Sequence, residues 1–390
     1  EVALGRRAGT SAIRAFGHFN KKYTFIGYLT TLIPFIIFPY YCVIGGWVTK
    51  YALVSIQGGI HDAASDTFFT GFISKSAEPM ICLLVFLIVT TLVVAGGVKG
   101  GIERVSTIMM PVLIVLLIGV SVFCITRPGA MAGVAYYIKP NLKDFSPTTI
   151  LAALGQLFYS MSLAMGIMVT FGSYMPKKSD LEKSVTQVEI FDTGVAFLAG
   201  LMIVPAVFVF SNGDSSMLAK GPSLMFVMLP KVFNSMAFSS VIAAVFFILV
   251  LLAALTSSIS LLETLVAVLM DKFHMKRGTA CITMFIIALL LAVPSSLGFG
   301  AWSNITILGF DFLDFFDFIS NNVLMPIAAF LTCIFVGYII KPKEIIDEVE
   351  GSGEFKRKPL FLVMVKYIAP ICIVAILVFS VLEGLGFITV

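Results

Sequence analysis

Long runs of apolar residues alternate with short polar connections from residue 23 to the end of the chain. Nine runs reach about 20 residues, the length a helix needs to cross roughly 30 Å of hydrocarbon. They cover 23–48, 79–98, 106–126, 148–174, 190–211, 237–270, 279–297, 308–340 and 360–385. The pattern predicts an all-α integral membrane protein with nine transmembrane helices. The run 237–270 is too long for an upright crossing, so it is expected to tilt or to project into water. One run is interrupted. Within 148–174, the stretch Gly155-Gln156-Leu157-Phe158-Tyr159-Ser160-Met161-Ser162-Leu163-Ala164-Met165-Gly166 is polar and bounded by glycine. In hydrocarbon such a break strands backbone N–H and C=O groups, which is tolerated only where the backbone lines a cavity or binds something. A discontinuous helix at 148–174, with a ligand beside the break, is therefore expected.

Composition agrees. The chain is 59% hydrophobic and 12% charged, with a mean hydropathy of +1.03, against roughly 25% charged residues in soluble domains. Alternate connections differ in charge. The N-terminal stretch, 99–105, 175–189, 271–278 and 341–366 hold 19 of the 26 Lys and Arg. They include Arg6, Arg7, Lys21, Lys22, Lys177, Lys178 and the run Lys356-Arg357-Lys358. The other set holds Lys50, Lys75, Arg127, Lys139, Lys143, Lys220 and Lys231. By the positive-inside bias the first set faces the cytoplasm and the longer connections 49–78, 127–147 and 212–236 face outward. This bias accounts for the net charge of +4 without a nucleic-acid partner. The first 22 residues, small, basic and aromatic, are expected to lie along the inner face as a short amphipathic helix.

Cys42, Cys82, Cys124, Cys281, Cys333 and Cys372 lie in or beside apolar runs without C-x-x-C spacing, which points to buried free thiols. His18, His61 and His274 fall in three separate connections. No phosphate loop, dinucleotide fingerprint or nucleophile elbow is present, so nothing indicates an enzyme or ATP as energy source.

The polar residues inside the apolar runs carry the remaining chemistry. Ala253-Ala254-Leu255-Thr256-Ser257-Ser258-Ile259-Ser260 places four hydroxyls within five residues. They either bond back to carbonyls of the preceding turn and between helices, or hold a hard cation such as Na+ with neutral oxygens. Asp192 lies near the start of 190–211; it is either a hydrated cap or a functional carboxylate. Tyr40 and Tyr41 sit too deep for the interfacial belt, so buried phenols with hydrogen-bond partners are expected. Asp311, Asp314 and Asp317 share a broad helix face at an outward end. They form either a solvated helix start or a gate over a vestibule.

Together these stretches resemble the neurotransmitter:sodium symporter family, in its bacterial amino-acid branch. The resemblance is carried by Tyr40-Tyr41 with Trp47, Gly-Ile-Glu-Arg at 101–104, Gln156 to Gly166 and Leu255-Thr256-Ser257-Ser258. Asp314-Phe315 and Lys366-Tyr367-Ile368-Ala369-Pro370 add to it. It implies an inverted-repeat fold with binding at the membrane midplane. The nine runs would be family helices three to eleven, with the first helix and nearly all of the second outside this chain. Residues 23–126 would belong to the first repeat and 148–340 to the second, with 360–385 as an additional helix of the single domain 1–390.

The resemblance also implies roles. Tyr41 would bond the substrate carboxylate, Ile37 would line the side-chain pocket and Tyr159 would lie over the substrate. Ser162 and Ala164 would contact it, with Met165, Ser257 and Leu261 in the pocket wall. Ala164 would narrow the pocket, and Met165 would give it a flexible apolar wall. Ser160 and Asp192 would hold a first sodium ion. Ala253 through its carbonyl, with Thr256 and Ser257 through their hydroxyls, would hold a second. Gln156 and Asp314 would join Tyr159 at the outer gate, and Asp271 with Tyr174 would form the inner one. Asp192 would supply the negative charge that animal members obtain from chloride. The expected activity is chloride-independent symport of sodium with a neutral, hydrophobic or aromatic amino acid, by alternating access, in the plasma membrane of a bacterium. Two alternatives remain at this stage: proton coupling or exchange on the same fold, and a non-transporting remnant that serves as an interaction protein.

Overall fold

The computed structural model describes residues 1–141, 145–214, 218 and 221–384. Lys143, Lys220 and the last residue of the run 360–385 lie outside the described residues. Helices account for nearly all of it: α1 (Val2–Ala8), α2 (Ala12–Phe19), α3 (Thr24–Ile56), α4 (Ile60–Ala63), α5 (Phe68–Ile73), α6 (Ala77–Ala95), α7 (Arg104–Ile125), α8 (Ala130–Ile138), α9 (Pro147–Ser160), α10 (Ile167–Tyr174), α11 (Leu181–Phe210), α12 (Leu229–Asn234), α13 (Ser239–Phe273), α14 (Arg277–Leu297), α15 (Phe312–Asp317), α16 (Met325–Ile334), α17 (Pro342–Glu350), α18 (Lys358–Val363) and α19 (Ala369–Gly384). Eight continuous helical stretches are long and apolar enough to cross a membrane among the described residues. The ninth run is α9 and α10, separated by the break.

Two boundaries differ from the sequence reading. The run at 190–211 starts its helix at Leu181, because the Asp180 carboxylate accepts the Lys183 N–H and caps the first turn. The helix therefore begins in polar residues that a hydropathy window leaves out. The N-terminal stretch is not one surface helix. Arg6 and Leu4 make α1 a buried element, at 2% and 0% exposure. Only α2 is amphipathic, with Ala12, Ile13, Ala15 and Phe16 inside.

The main core joins α3, α6, α7, α13 and α14. At the outward end an aromatic cage closes it. Trp47 meets Phe69, Phe226 and Phe299 edge-on, and the Tyr51 hydroxyl donates to the Phe226 carbonyl at 2.7 Å. This seats the 221–236 segment on α3 and α5. A smaller core lies at the other end, where Leu4, Phe16, Val169, Phe335, Ile345 and Val349 meet. Ion pairs respect the same division. Lys50 and Lys75 meet Glu78, and Lys231 meets Asp66, at the outward end; Arg6, Lys177 and Arg357 are paired at the inward end.

Candidate functional site

The break is a run of residues in unusual backbone conformations. Ser162, Ala164 and Gly166 all have positive φ (53°, 62° and 72°). Two of them carry side chains that disfavour this region, at a cost of order 1 kcal/mol or more each, so the surrounding structure must hold them. Part of that hold is visible: the Ala164 N–H donates to Glu1 Oε1 at 2.8 Å. Below the break, α10 is packed backbone to backbone against α1. A methyl added at Gly5 would overlap the Val169 carbonyl, and one at Gly172 would overlap the Val2 carbonyl.

A cavity of about 350 Å³ opens beside the break. Ile37, Tyr41, Tyr159, Ser160, Ser162, Met165, Ser257 and Leu261 line it, with Gln156, Ile167 and Asp192. All but one of the residues expected to contact substrate are thus brought together. The exception is Ala164, which is buried away from this lining because its N–H turns toward Glu1. Its backbone N–H helps to hold the loop in place.

Asp192 resolves one open alternative. It lies well inside α11, past the capped first turn, and accepts the Ser160 hydroxyl at 2.7 Å. It is not a helix cap. The hydroxyl run on α13 divides. Thr256, Ser258 and Ser260 donate back to the carbonyls of Ala253, Leu255 and Thr256 at 2.8, 2.9 and 3.2 Å. Ser257 alone of the four lines the cavity, together with Tyr41. The Ala253 carbonyl and the Thr256 and Ser257 hydroxyls lie within about one turn of helix, a neutral set of hard oxygens. Ser160 with Asp192 forms a second set that adds a formal charge. Both sets suit an alkali cation.

The three aspartates at the start of the 308–340 run separate into three functions. Asp311 caps α15 by accepting the Asp314 N–H at 2.9 Å. Asp314 is exposed in the first turn. Asp317 faces inward, where the Tyr40 hydroxyl and Asn321 Nδ2 donate to its Oδ1 at 3.0 and 2.7 Å. A second cavity, of about 390 Å³, places Asp317 beside Gln156 and Tyr159, with Asn321, Asn322 and Glu383 in the same wall. Asp314, expected at the outer gate, is outside the lining of this cavity, and Asp317 is the aspartate within it. The buried phenol expected at Tyr40 has Asp317 as its partner.

At the inward end, Asp271 and Tyr174 have separate partners. Asp271 accepts the Ser11 N–H at 2.6 Å and so caps α2. Tyr174 donates to Glu263, not to Asp271, at 2.7 Å. Glu263 is fully buried and is forked by Arg277, whose Nε also donates to the Val94 carbonyl at 2.8 Å. Glu263 was detectable in sequence: a carboxylate inside Leu261-Leu262-Glu263-Thr264-Leu265 needs a charged partner at membrane depth.

A helix broken within an apolar run, with Ser160, Asp192, Ser257 and an apolar wall around one cavity, is an arrangement suited to a polytopic membrane transporter. Comparison with known proteins gives the family. The family model described as "Sodium:neurotransmitter symporter family" matches residues 69–385. An uncharacterized sodium-dependent transporter of Haemophilus influenzae is 34% identical, over 97% of this chain and 85% of its own length. One from Bacillus subtilis is 34% identical over 96% and 84%. Among solved structures, MhsT in complex with L-phenylalanine is 37% identical with a TM-score of 0.86, covering 97% of this chain and 86% of that one. The chain belongs to the sodium:neurotransmitter symporter family. Members of this family are transporters rather than enzymes.

Proposed function

We propose that this protein couples inward movement of sodium to uptake of a neutral, hydrophobic or aromatic amino acid, without chloride. The observation that carries the reading is the cavity beside the break where Ser160 with Asp192, Ser257 with Tyr41, and the apolar Ile37, Met165 and Leu261 converge. A zwitterion brought to mid-membrane needs both charges met. Tyr41 and a bound sodium ion would meet the carboxylate, and Ser162 with the unwound carbonyls would meet the ammonium. Ile37, Met165 and Leu261, all at most 4% exposed, suit an apolar side chain. The bound phenylalanine named for MhsT supports this substrate class.

Two sodium sites follow from the two oxygen sets, Ser160 with Asp192, and Ala253 with Thr256 and Ser257. Because a sodium ion held by Ser160 and Asp192 would border the same cavity as the amino acid, each raises affinity for the other. Gln156, Tyr159 and Asp317 form the outer gate. At the inner side Asp271 holds α2, while Tyr174 is tied through Glu263 to Arg277. Alternating access then exposes the cavity first outward and then inward, across two inverted repeats at 23–126 and 148–340 in a bacterial inner membrane.

The test is uptake of a pooled set of labelled amino acids by the full-length gene product in proteoliposomes. Accumulation that requires a sodium gradient and persists when chloride is replaced by gluconate supports the proposal. Uptake driven by a proton gradient without sodium, or no uptake of any amino acid, overturns it.

A further inference from the structure

The inward end contains a knot of buried charge that the transport reading does not use. Arg6, on α1, spends its whole guanidinium on it. Nε donates to Glu348 Oε1 at 2.7 Å, Nη1 to the Ser179 carbonyl at 2.6 Å, and Nη2 to the Glu348 carbonyl at 2.6 Å and Ser352 Oγ at 2.9 Å. Lys177 donates to the same Glu348 oxygen at 2.8 Å and to the Arg6 carbonyl at 3.0 Å. Arg6 and Glu348 are 2% and 5% exposed. The knot thus ties three parts of the chain: α1, the connection that follows the broken helix, and α17.

A second tie joins α11 to the segment that follows α17. Glu182, in the first turn of α11, accepts the Lys356 and Arg357 N–H groups at 2.7 and 3.0 Å, and Arg357 Nη1 donates to Glu189 at 2.7 Å. Residues 348–357 are therefore a strap, pinned at one end by Arg6 and at the other by Glu182. Beneath the first pin, α1 and α10 touch backbone to backbone at Gly5 and Gly172. Such a contact has no side chains to slide on, so a displacement of α1 is passed directly to α10. The first residue of α10, Ile167, in turn lines the cavity.

We propose that Arg6 and Glu348 are positioning residues: the pinned strap sets the resting place of α10, the inner half of the broken helix, and through it the affinity of the cavity for sodium and amino acid. The part of this inference that concerns ligands rests on the proposed transport function. The part that concerns α10 does not.

The test is Glu348→Gln in the full-length gene product in lipid nanodiscs. It keeps the side-chain shape and removes the charge. Amide hydrogen exchange is first followed without sodium or amino acid. Exchange in 167–174 is expected to rise about tenfold, as the local opening energy falls with the pair, while exchange in α14 stays unchanged. Half-saturating sodium for uptake is expected to rise several-fold more than the maximal rate falls. The swap Arg6→Glu with Glu348→Arg should recover part of both effects. If Glu348→Gln does not fold, Ser352→Ala removes only one acceptor of Arg6 and should move the same readouts in the same direction, by about two- to threefold. Unchanged exchange at 167–174, or a rise spread equally over α14, overturns the proposal, since a merely stabilising pair would act everywhere. A wild-type protein with no sodium or amino-acid response would refute the transport function, while the ligand-free exchange result would still decide the fate of the strap.

Discussion

Replacing Asp192 by Asn tests the charge at the first oxygen set. The exchange is nearly isosteric and keeps an oxygen able to accept the Ser160 hydroxyl, which now lies 2.7 Å from Asp192 Oδ1. What is removed is one negative charge beside a proposed cation. At an effective dielectric of about 20, two unit charges about 4 Å apart interact by roughly 4 kcal/mol. Asp192 is only partly buried, so water already screens it and its own desolvation opposes binding. Halving the Coulomb figure leaves about 2 kcal/mol, or roughly a thirtyfold loss of sodium affinity. The sodium dependence of uptake, or of tryptophan fluorescence (the chain has two Trp), measures it directly. The same variant should gain a dependence on chloride, because a diffusible anion can replace the lost charge, whereas the unaltered protein should not respond to chloride. The reasoning fails if sodium dependence is unchanged in the variant, or if uptake by the unaltered protein collapses when gluconate replaces chloride.

Other predictions concern separate parts of the structure. Asp317→Ala should lower the rate of uptake at least tenfold by leaving Tyr40 and Asn321 without their shared acceptor, while Asp314→Ala should change it less than twofold; equal effects in a side-by-side uptake assay would remove the gate assignment. Gly172→Ala forces a methyl into the Val2 carbonyl, an overpacking worth about 1–3 kcal/mol, and should lower the melting temperature; an unchanged melting curve would mean that α1 and α10 are not in contact. Burial pushes the Glu348 carboxyl up, but Lys177 and Arg6 outweigh it and hold the group below its usual 4.5. A depressed carboxylate stabilises the fold fully above its unfolded pKa, and this is lost as pH falls through the folded value. Acid unfolding should therefore steepen below pH 4.5, and Glu348→Gln should flatten that limb; an identical acid limb in the variant would contradict the pairing.

The crossings were legible because apolar length is a one-dimensional property. The break was legible because polarity at mid-span has so few tolerable explanations. The same logic reached Ser160, Asp192 and Ser257, each a polar group at depth. What could not be read were choices made by packing between distant segments. Asp311, Asp314 and Asp317 share one pattern in sequence, and only Tyr40 on another helix distinguishes the third. Ala164 looked like a pocket wall, and only the carboxylate of Glu1 shows which way its backbone turns. Arg6 counted as one basic residue among many in an inward connection; its partner, Glu348, lies 342 residues away. The partners of Tyr174 and Asp271, Glu263 and Ser11, likewise come from other segments.

The two halves of the broken helix also bear on how the protein is made. At about 1.5 Å per residue, the 14 residues of α9 and the 8 of α10 are about 21 and 12 Å long. Neither reaches across a bilayer by itself, and between them lie backbone groups that lipid cannot satisfy. The Ala164 N–H finds its acceptor on the segment that carries Glu1, and α10 finds its packing partner in α1, both made earlier in synthesis. The segment 147–174 can therefore settle into the bilayer only against helices already in place. The order in which the chain leaves the ribosome becomes part of what makes the binding site possible.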